Sequence, residues 1–353
     1  VALLPLLAHI MTTLLTILRV LVIGLLSPAA MTSSIERIAE ITVNKLQDII
    51  GTDAGGRGMK NLICDGDLVK ASRIFAALPA GSLVVVLTGF PCCVNESPPT
   101  ETDGPPGAVA LARAAVHLGH TCKIVTDECN EAVFQAAIDD EKWGEGGKLE
   151  LQVFSATKDE DNRLQALAKD CDLVIACERA GPGEDGNCYT MRGINMNERN
   201  IIAPLHKIIQ YASPTKFLAV GDGGNEMGMG KVIDKIKKHI PKGDQIGCIV
   251  AADHLVAASV SNWGGYAVAA GAAVMQAAKE SSSKEEMKTK VAEWVEKCVP
   301  TEQEEIDLLN RCVAKGCRDG VSGKVEATVD GMPLATSLKC LRDLREAALS
   351  LGE

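Results

Sequence analysis

The chain has 353 residues, of which 46% are hydrophobic and 23% charged, so it can bury the core of one large α/β domain or of two smaller ones. Its formal net charge of −10 and the lack of a basic stripe argue against nucleic acid as a ligand. Aromatic residues make up only 3% of the chain, which removes the stacking surfaces that single-strand binders use. We therefore expect a small-molecule substrate.

The pattern of the thirteen cysteines does not indicate a disulfide framework. Their number is odd, many lie in apolar runs, and no CxxC pair occurs, which favours reduced thiols in the core. The adjacent Cys92 and Cys93 suit loop packing better than a metal or redox site, because neighbouring residues close a bridge with difficulty.

Residues 1–30 are almost continuously apolar, with Arg19 as their only formal charge. An arginine at the centre of a membrane span costs about 2.5 to 3.5 kcal/mol, a secretory signal places basic residues first, and a mitochondrial transit peptide is richer in arginine. The segment matches none of the three well. We expect an apolar leader or a non-native extension, followed by a single α/β domain over residues 31–353 with no firm membrane partner.

Apolar periodicity predicts alternating helices and strands along the first half of this domain. They are a helix from Ile35 to Gly51, a helix ending near Leu78, strand Leu83–Leu87, helix Gly107–Leu118, strand Cys122–Thr126, helix Asn130–Ile138, strand Leu149–Phe154, helix Asp161–Lys169 and strand Asp172–Cys177.

The second half continues the alternation and then becomes helical. It contains a helix near Asn197–Tyr211, strand Lys216–Val220, helix Val232–His239, strand Ile246–Ala251, helix Gly265–Ala278, two charged helices between Ser283 and Lys315, and a terminal helix Leu334–Leu349. This order predicts an α/β fold: a doubly wound, mainly parallel sheet with helices on both faces and a helical C-terminal tail.

A long acidic loop, Thr88–Asp103, joins the first predicted strand to the next helix. Loops that leave the carboxyl ends of strands form the ligand crevice of open α/β sheets. Glu101 and Asp103 on this loop are therefore candidates for chemistry, and a solvated acidic loop is the alternative.

A glycine-rich segment, Gly221–Gly230, directly follows a predicted strand. Its glycines allow a close backbone approach or a positive φ, and Asp222, Asn225 and Glu226 supply oxygen ligands that suit Mg²⁺. Neither G-x-G-x-x-G nor G-K-[ST] is present, so no nucleotide is expected. A tight turn capped by Asp and Asn remains the alternative.

Further polar residues follow other predicted strands. Asp127 and Glu178 each come directly after a strand, and Asp253 and His254 follow the predicted strand Ile246–Ala251. His254 suits either a general acid or base or a helix-cap partner. Because acids recur after strands, we expect one acidic crevice that raises carboxylate pKa values or binds a cation.

Cationic partners for a substrate carboxylate are few. Arg57, Arg179 and Arg192 each have the guanidinium fork that matches a carboxylate. Each also suits an ordinary surface position.

The strings T-G-F-P-C-C-V-N, P-P-T-E-T-D-G-P-P-G-A, G-D-G-G-N-E-M-G-M-G-K and A-D-H-L-V-A-A-S-V-S-N-W-G-G-Y-A resemble the D-glutamate cyclase family, in its C-terminal-domain type. The resemblance implies conversion of D-glutamate to 5-oxo-D-proline with loss of water, a carbon–oxygen hydro-lyase reaction, in an enzyme that is mitochondrial in animals. It marks motif positions as site candidates, namely Glu101, Asp103, Asp222, Asn225, Glu226, Asp253 and His254. Two-part members also carry a hydro-lyase-like N-terminal half that this sequence does not include; if catalysis resides there, this chain alone is inactive or acts differently.

For that reaction we expect a divalent cation, Mg²⁺ or Mn²⁺, held by Asp222 and Glu226 with Glu101. The catalytic group contains His254, Asp103 and Asp253, with His254 or Asp103 as the base. The predicted substrate contacts are Arg57 or Arg179 at the α-carboxylate, with Asn225 and Thr88. The alternatives are a metal-dependent hydrolase or phosphatase acting on a small anion and a non-catalytic ligand-binding domain. The sequence is also compatible with a homo-oligomer.

Overall fold

Short apolar runs form a parallel sheet in the computed structural model, which describes residues 34–139, 148–212 and 216–352; the predicted leader at residues 1–30 lies outside them. Within these residues the sheet has six strands in the order β3-β2-β1-β4-β5-β6, and every pair is parallel. The strands are β1 (Leu83–Gly89), β2 (Thr121–Asp127), β3 (Leu149–Phe154), β4 (Leu173–Arg179), β5 (Lys216–Gly221) and β6 (His254–Ala257).

The central strands β1, β4 and β5 read as nearly continuous apolar runs because both faces of the sheet are covered there, whereas the edge strand β3 alternates and is only partly buried. In β1, Val84 and Val86 face one core, whereas Val85 and Leu87 face the other. The helices of the first face are α1 (Ser34–Ile50), α2 (Asp67–Ala77), α3 (Pro105–His117), α4 (Glu131–Ile138), α9 (Ser261–Lys279), α10 (Lys284–Cys298), α11 (Glu302–Ala314) and α12 (Leu334–Ser350). Those of the second are α5 (Asp161–Asp170), α6 (Ile208–Tyr211), α7 (Ile233–His239) and α8 (Gly243–Ile246). The predicted doubly wound fold and helical tail are confirmed.

Helix α9 is the central helix of the first face. All its residues except Gln276 and Lys279 are buried, and it packs against α1, α2, α3, α10 and α12. Its small residues allow this: a Cβ at Gly265 would lie 2.6 Å from the backbone of Gly107 in α3. The N-termini of α3 and α9 therefore meet closely at one edge of the sheet.

Two predicted elements are wrong. Residues 246–251 are not a strand: Ile249 donates its N–H to Pro182 O, and Val250 O accepts from Gly228 N, so the segment bonds to loops while His254–Ala257 pairs with β5. Both stretches are short apolar runs, which periodicity cannot rank. The helix near Asn197–Tyr211 reduces to two 3₁₀ turns and α6, because Asn200 is left-handed (φ 55°) and Pro204 interrupts the run.

The strand order reverses between β1 and β4. The chain leaves β1 toward β2 on one side and leaves β4 toward β5 on the other. In open α/β sheets this switch point opens a crevice outside the carboxyl ends of the strands, where ligands bind.

Among the described residues no helix is both long and apolar enough to cross a membrane.

Candidate active site

A cavity of about 190 Å³ lies at the switch point. Pockets for drug-sized ligands are larger, about 300 to 1,000 Å³, so this one suits a ligand of amino-acid size. Its walls come from the loops after β1, β4 and β5, the loop after α1, and the segment between α11 and α12. The lining residues are Arg57, Phe90, Cys92, Glu101, Glu178, Thr190, Met191, Arg192, Asp222, Asn225, Gly320, Val321 and Asp330.

Three buried carboxylates converge beside the cavity. Asp103, Glu178 and Asp222 each offer an oxygen, and these oxygens all lie within 4.8 Å of one another. Ligands on opposite sides of a cation are about 4.2 Å apart around Mg²⁺ and about 4.8 Å apart around Ca²⁺, from metal–oxygen distances of about 2.1 and 2.4 Å. This cluster, called here the acidic triad, has the spacing and the hard oxygen donors that a divalent cation requires. Of the predicted cation ligands, only Asp222 belongs to it.

Asp103 is held by the N-terminus of α9. Its oxygens accept the backbone N–H groups of Ser261 at 2.9 Å and Asn262 at 2.8 Å. Asn262 in turn accepts the N–H groups of Gly104 and Gly107 through Oδ1, which ties the start of α3 to the start of α9. Burial and Asp330 outweigh these hydrogen bonds and raise the pKa of Asp103 to about 7.

Glu178 lies at the end of β4 with a positive φ of 45°. Such a backbone costs a non-glycine residue free energy and is maintained by its surroundings. Ser261 Oγ donates to its carboxylate. Burial, followed by repulsion from Asp222 and other neighbouring acids, raises the pKa of Glu178 well above its ordinary value.

Arg57 is the cation nearest the triad. Its Nη2 lies 2.6 Å from Asp222 Oδ2 and 2.7 Å from Asp330 Oδ2, and it also donates to Ser259 O at 3.2 Å. Asp222, together with Asp330, raises the pKa of Arg57, so the guanidinium stays charged. Among the described residues all its side-chain hydrogen bonds use Nη2, which leaves Nε and Nη1 for a ligand.

Glu226 lies in the same glycine-rich segment as Asp222 but has a different role. Its carboxylate accepts the backbone N–H groups of Asp222, Gly223 and Gly224 at 2.8, 2.5 and 2.6 Å. Glu226 therefore shapes the loop. It is not one of the three residues of the acidic triad, although it is one of the cation ligands predicted from the sequence. The loop also needs glycine at Gly228, where φ is 103° and a Cβ would lie 2.0 Å from that of Ala219.

Three other predicted residues lie in or just behind the cavity wall. Glu101 lines the cavity, bonds the Cys92 thiol, and has a pKa raised well above its ordinary value by burial. Asn225 lines it too and donates to Tyr189 O at 2.7 Å. Thr88 lies behind the wall near Gly104, fully buried, and its hydroxyl has no hydrogen-bond partner in the described part of the chain.

Arg179 does not line the cavity. It forms a fully buried ion pair with Asp127, and its Nη2 also donates to Ala203 O at 2.7 Å. Asp127 further accepts the N–H of Ala203. The structure thus places Arg179 in a structural pair at the end of β2 and β4, away from a substrate carboxylate in the cavity.

Asp253 and His254 lie at the amino ends of the strands, whereas the sequence prediction placed them after a strand, at the carboxyl ends. Because β6 begins at His254, both residues stand at its amino end. Asp253 accepts the N–H of Phe217 at the start of β5, and His254 Nδ1 lies 3.5 Å from Asp67 Oδ1. Neither residue lines the cavity.

The structure adds residues that the sequence prediction missed. Asp330, with φ 55°, reaches the cavity from the segment between α11 and α12. Asp319 holds that segment by accepting the N–H groups of Val321, Ser322 and Gly331. No periodic pattern marks Asp330, whereas Glu178 was visible as an acid after a strand.

Comparison with known proteins gives two matches. A family described as "D-glutamate cyclase-like, C-terminal" matches residues 46–345. The human protein named "D-glutamate cyclase, mitochondrial" is 35% identical over 312 residues, which cover 82% of this chain and 49% of the human protein. The chain thus spans about half the length of this curated relative.

Proposed function

The chain belongs to the D-glutamate cyclase-like family, as its loop motifs predict, and we propose that it closes D-glutamate to 5-oxo-D-proline with release of water. The observation that carries the proposal is the cavity of about 190 Å³ in which buried acids of raised pKa lie beside Arg57. The relative's printed name supplies the substrate. Because the chain spans about half of that relative, activity in this chain alone is part of the proposal.

The reaction needs proton transfer inside the site without net uptake. D-glutamate brings one ammonium and two carboxylates, and the product keeps one carboxylate and one lactam N–H. Two ammonium protons must therefore reach the oxygen that leaves the γ-carboxyl as water. A carboxyl group whose pKa is raised from its ordinary value toward the working pH carries protons in both directions more effectively.

Glu101 fits this task in the proposal. It lines the cavity, lies outside the acidic triad, and its pKa is raised well above the ordinary value. It takes a proton from the ammonium and returns it to the departing oxygen. Asp103, the base expected from the sequence, lies behind the wall with both oxygens bonded to backbone N–H groups, so we assign it to the cation instead.

The acidic triad would hold a hard divalent cation such as Mg²⁺ or Mn²⁺. When bound, such a cation polarises a carboxyl group as a Lewis acid. It would also offset the acids that line the cavity, which otherwise repel a substrate with two carboxylates. Arg57 anchors the α-carboxylate through the nitrogens that Asp222 and Asp330 do not use, and Arg192 attracts the substrate from the mouth.

An NMR time course of the chain tests the proposal. D-glutamate, L-glutamate and 5-oxo-D-proline are each incubated with Mg²⁺ or Mn²⁺ and with EDTA. We expect ring closure of the D-isomer that requires the cation and that falls at least about 100-fold in Asp222→Asn, with no change in the exposed control Asp48→Asn. A folded chain without turnover under any condition contradicts the proposal, and turnover that survives exhaustive chelation contradicts its metal part.

The hydrolase alternative is tested in the same preparation. Phosphate release from a panel of sugar and nucleotide phosphates, without ring closure of D-glutamate, would support it. Saturable binding of D-glutamate without product would instead support a ligand-binding domain.

We also propose a mitochondrial location, because the human relative is named mitochondrial. A fluorescent fusion should coincide with a marker of the mitochondrial matrix. A signal spread through the cytosol contradicts the location and leaves the proposed chemistry unaffected.

A further inference from the structure

The adjacent Cys92 and Cys93 lie on the loop after β1, where one thiol meets the cavity and the other does not. Their Sγ atoms are 3.8 Å apart, and both residues are half-buried. Cys92 lines the cavity, where it bonds Glu101, and its Sγ lies 3.3 Å from the position of a Cβ at Gly320. The pair therefore joins the candidate site to the partly exposed side of the loop.

The two thiols differ in their surroundings. Cys93 shares a hydrogen bond with Cys92 and faces the positive charges of Arg318 and Arg192, which together lower its pKa despite burial and nearby Glu96. The hydrogen bond shared with Cys93, burial and Glu101 raise the pKa of Cys92. A thiolate is the reactive form of cysteine, so Cys93 is the nucleophile of the pair. Cys92 is the adjacent thiol that reacts with Cys93 once Cys93 is oxidised.

From this arrangement we propose that Cys92 and Cys93 form a peroxide-sensitive modification site whose product is a reversible disulfide between adjacent residues. In the first step the Cys93 thiolate attacks hydrogen peroxide: an S–O bond forms, the O–O bond breaks, and hydroxide leaves. In the second, the Cys92 sulfur attacks the Cys93 sulfenic acid: the S–S bond forms, and the S–O bond breaks. The Cys92 proton goes to the leaving oxygen. Overall, two thiols and one peroxide give one disulfide and two waters.

Geometry makes this bridge easy to reduce. Consecutive Cα atoms are about 3.8 Å apart, below the range of about 4.4 to 6.8 Å for ordinary disulfides. A strained disulfide has a higher reduction potential, which is typical of labile and regulatory bridges. The two sulfurs must approach from 3.8 Å to close it, and Cys92 lines the cavity beside Glu101, so the bridge would form in the wall of the candidate site.

Mass spectrometry of the reduced full chain tests the proposal without any assay of turnover. Trypsin releases residues 74–113 as one peptide that contains Cys92 and Cys93 and no other cysteine. After one equivalent of hydrogen peroxide and alkylation with N-ethylmaleimide, we expect this peptide to lose two hydrogens and to take up no maleimide, before the other cysteines are oxidised. Dithiothreitol should restore both alkylation sites.

Single variants identify the two roles. In Cys92→Ser, Cys93 should stop at the sulfenic acid and react with dimedone; in Cys93→Ser, Cys92 should remain a free thiol. Cys129→Ser is the matched control, since Cys129 is also half-buried but burial raises its pKa to about 12. Residues 74–113 that still take up two maleimides, or that cross-link to the peptide containing Cys317, would overturn the proposal.

Discussion

The pair Asp127–Arg179 and the acidic triad Asp103–Glu178–Asp222 both lie buried at the carboxyl ends of the strands, yet they differ in charge balance. Each side chain of the pair is 1% exposed, and the Asp127 carboxylate has both the Arg179 guanidinium and the Ala203 N–H as partners. The triad gathers three carboxylates, and Arg57 reaches only Asp222 among them. Burial alone therefore does not distinguish a structural ion pair from a binding site. The distinguishing property is an excess of negative charge among the buried groups.

The largest effect is expected from breaking the pair. Arg179→Met leaves Asp127 buried without its cation, which typically costs about 3 to 5 kcal/mol. The free energy of unfolding, measured in urea, should fall by that amount. Arg342→Met, which removes the exposed partner of Glu302, is the control and should cost at most about 1 kcal/mol. Equal losses in the two variants would show that the buried pair is not a structural element of this kind.

The opposite result is expected in the triad. Glu178→Gln removes one of several mutually repelling carboxyls, so the free energy of unfolding should stay the same or rise. Calorimetry should show Mg²⁺ affinity lowered at least about 10-fold, because loss of outer-shell partners alone has effects of 10- to 100-fold. A variant that unfolds more easily and binds Mg²⁺ unchanged would reverse the roles assigned to pair and triad.

The pH dependence of stability follows from the raised pKa values. The pKa of Asp103 rises from 3.8 to about 7 on folding, mainly through burial. The folded chain therefore binds more protons between these values. The stabilising contribution of Asp103 to the free energy of unfolding is therefore complete below pH 3.8 and is lost as the pH rises through about 7. Since a cation binds the deprotonated carboxylates, Mg²⁺ should stabilise the chain more at pH 8 than at pH 5.

Glu305 provides the control for this slope. Burial raises its pKa to about 7 as well, but its partner is Tyr266, which donates to it at 2.6 Å. Glu305→Gln should remove its share of the slope and leave the Mg²⁺ effect intact. Equal stabilisation by Mg²⁺ at the two pH values, measured by urea unfolding, would disconnect the cation from the raised pKa values.

The smallest effect on stability is expected at the mouth of the cavity. Arg192 is exposed and lines the opening. Arg192→Met should change the free energy of unfolding by less than about 0.5 kcal/mol and raise the KM for the proposed substrate, D-glutamate, roughly 10-fold, as expected for loss of one charge-assisted hydrogen bond. The exposed Arg199→Met is the control. An unchanged KM would exclude Arg192 from substrate attraction.

Much of the sheet was predictable, because buried parallel strands are apolar on both faces and five of the six appear as predicted. An error in the sixth had a large consequence. The predicted strand at residues 246–251 lies just before the real one at His254–Ala257. Starting the strand at His254 places that residue at the amino end of the sheet instead of the carboxyl end, and Asp253 moves with it, whereas Asp103 stays at the carboxyl end.

The choice between neighbouring acids was not predictable. Asp222 and Glu226 lie four residues apart on a loop whose glycines adopt positive φ at Gly224 and Gly228. Which carboxylate reaches the cavity depends on those backbone angles, and the glycines permit such angles without specifying them. Asp330 arrives from a segment between two tail helices, and only tertiary packing brings it to Arg57.

Because Asp103 is hydrogen-bonded to the start of α9, the two sides of the cavity should open to solvent at different rates. Helix α9, on which Asp103 rests, is buried along almost its whole length. The amides of α9 should therefore exchange with solvent deuterium only through near-global unfolding. The segment 319–331 on the other side of the cavity is held by Asp319, by the Arg57–Asp330 ion pair and by the Thr102 hydroxyl, which donates to Thr328 O. It exposes Val321 and Val325. Because fewer of its side chains are buried, its amides should exchange sooner than those at the start of α9.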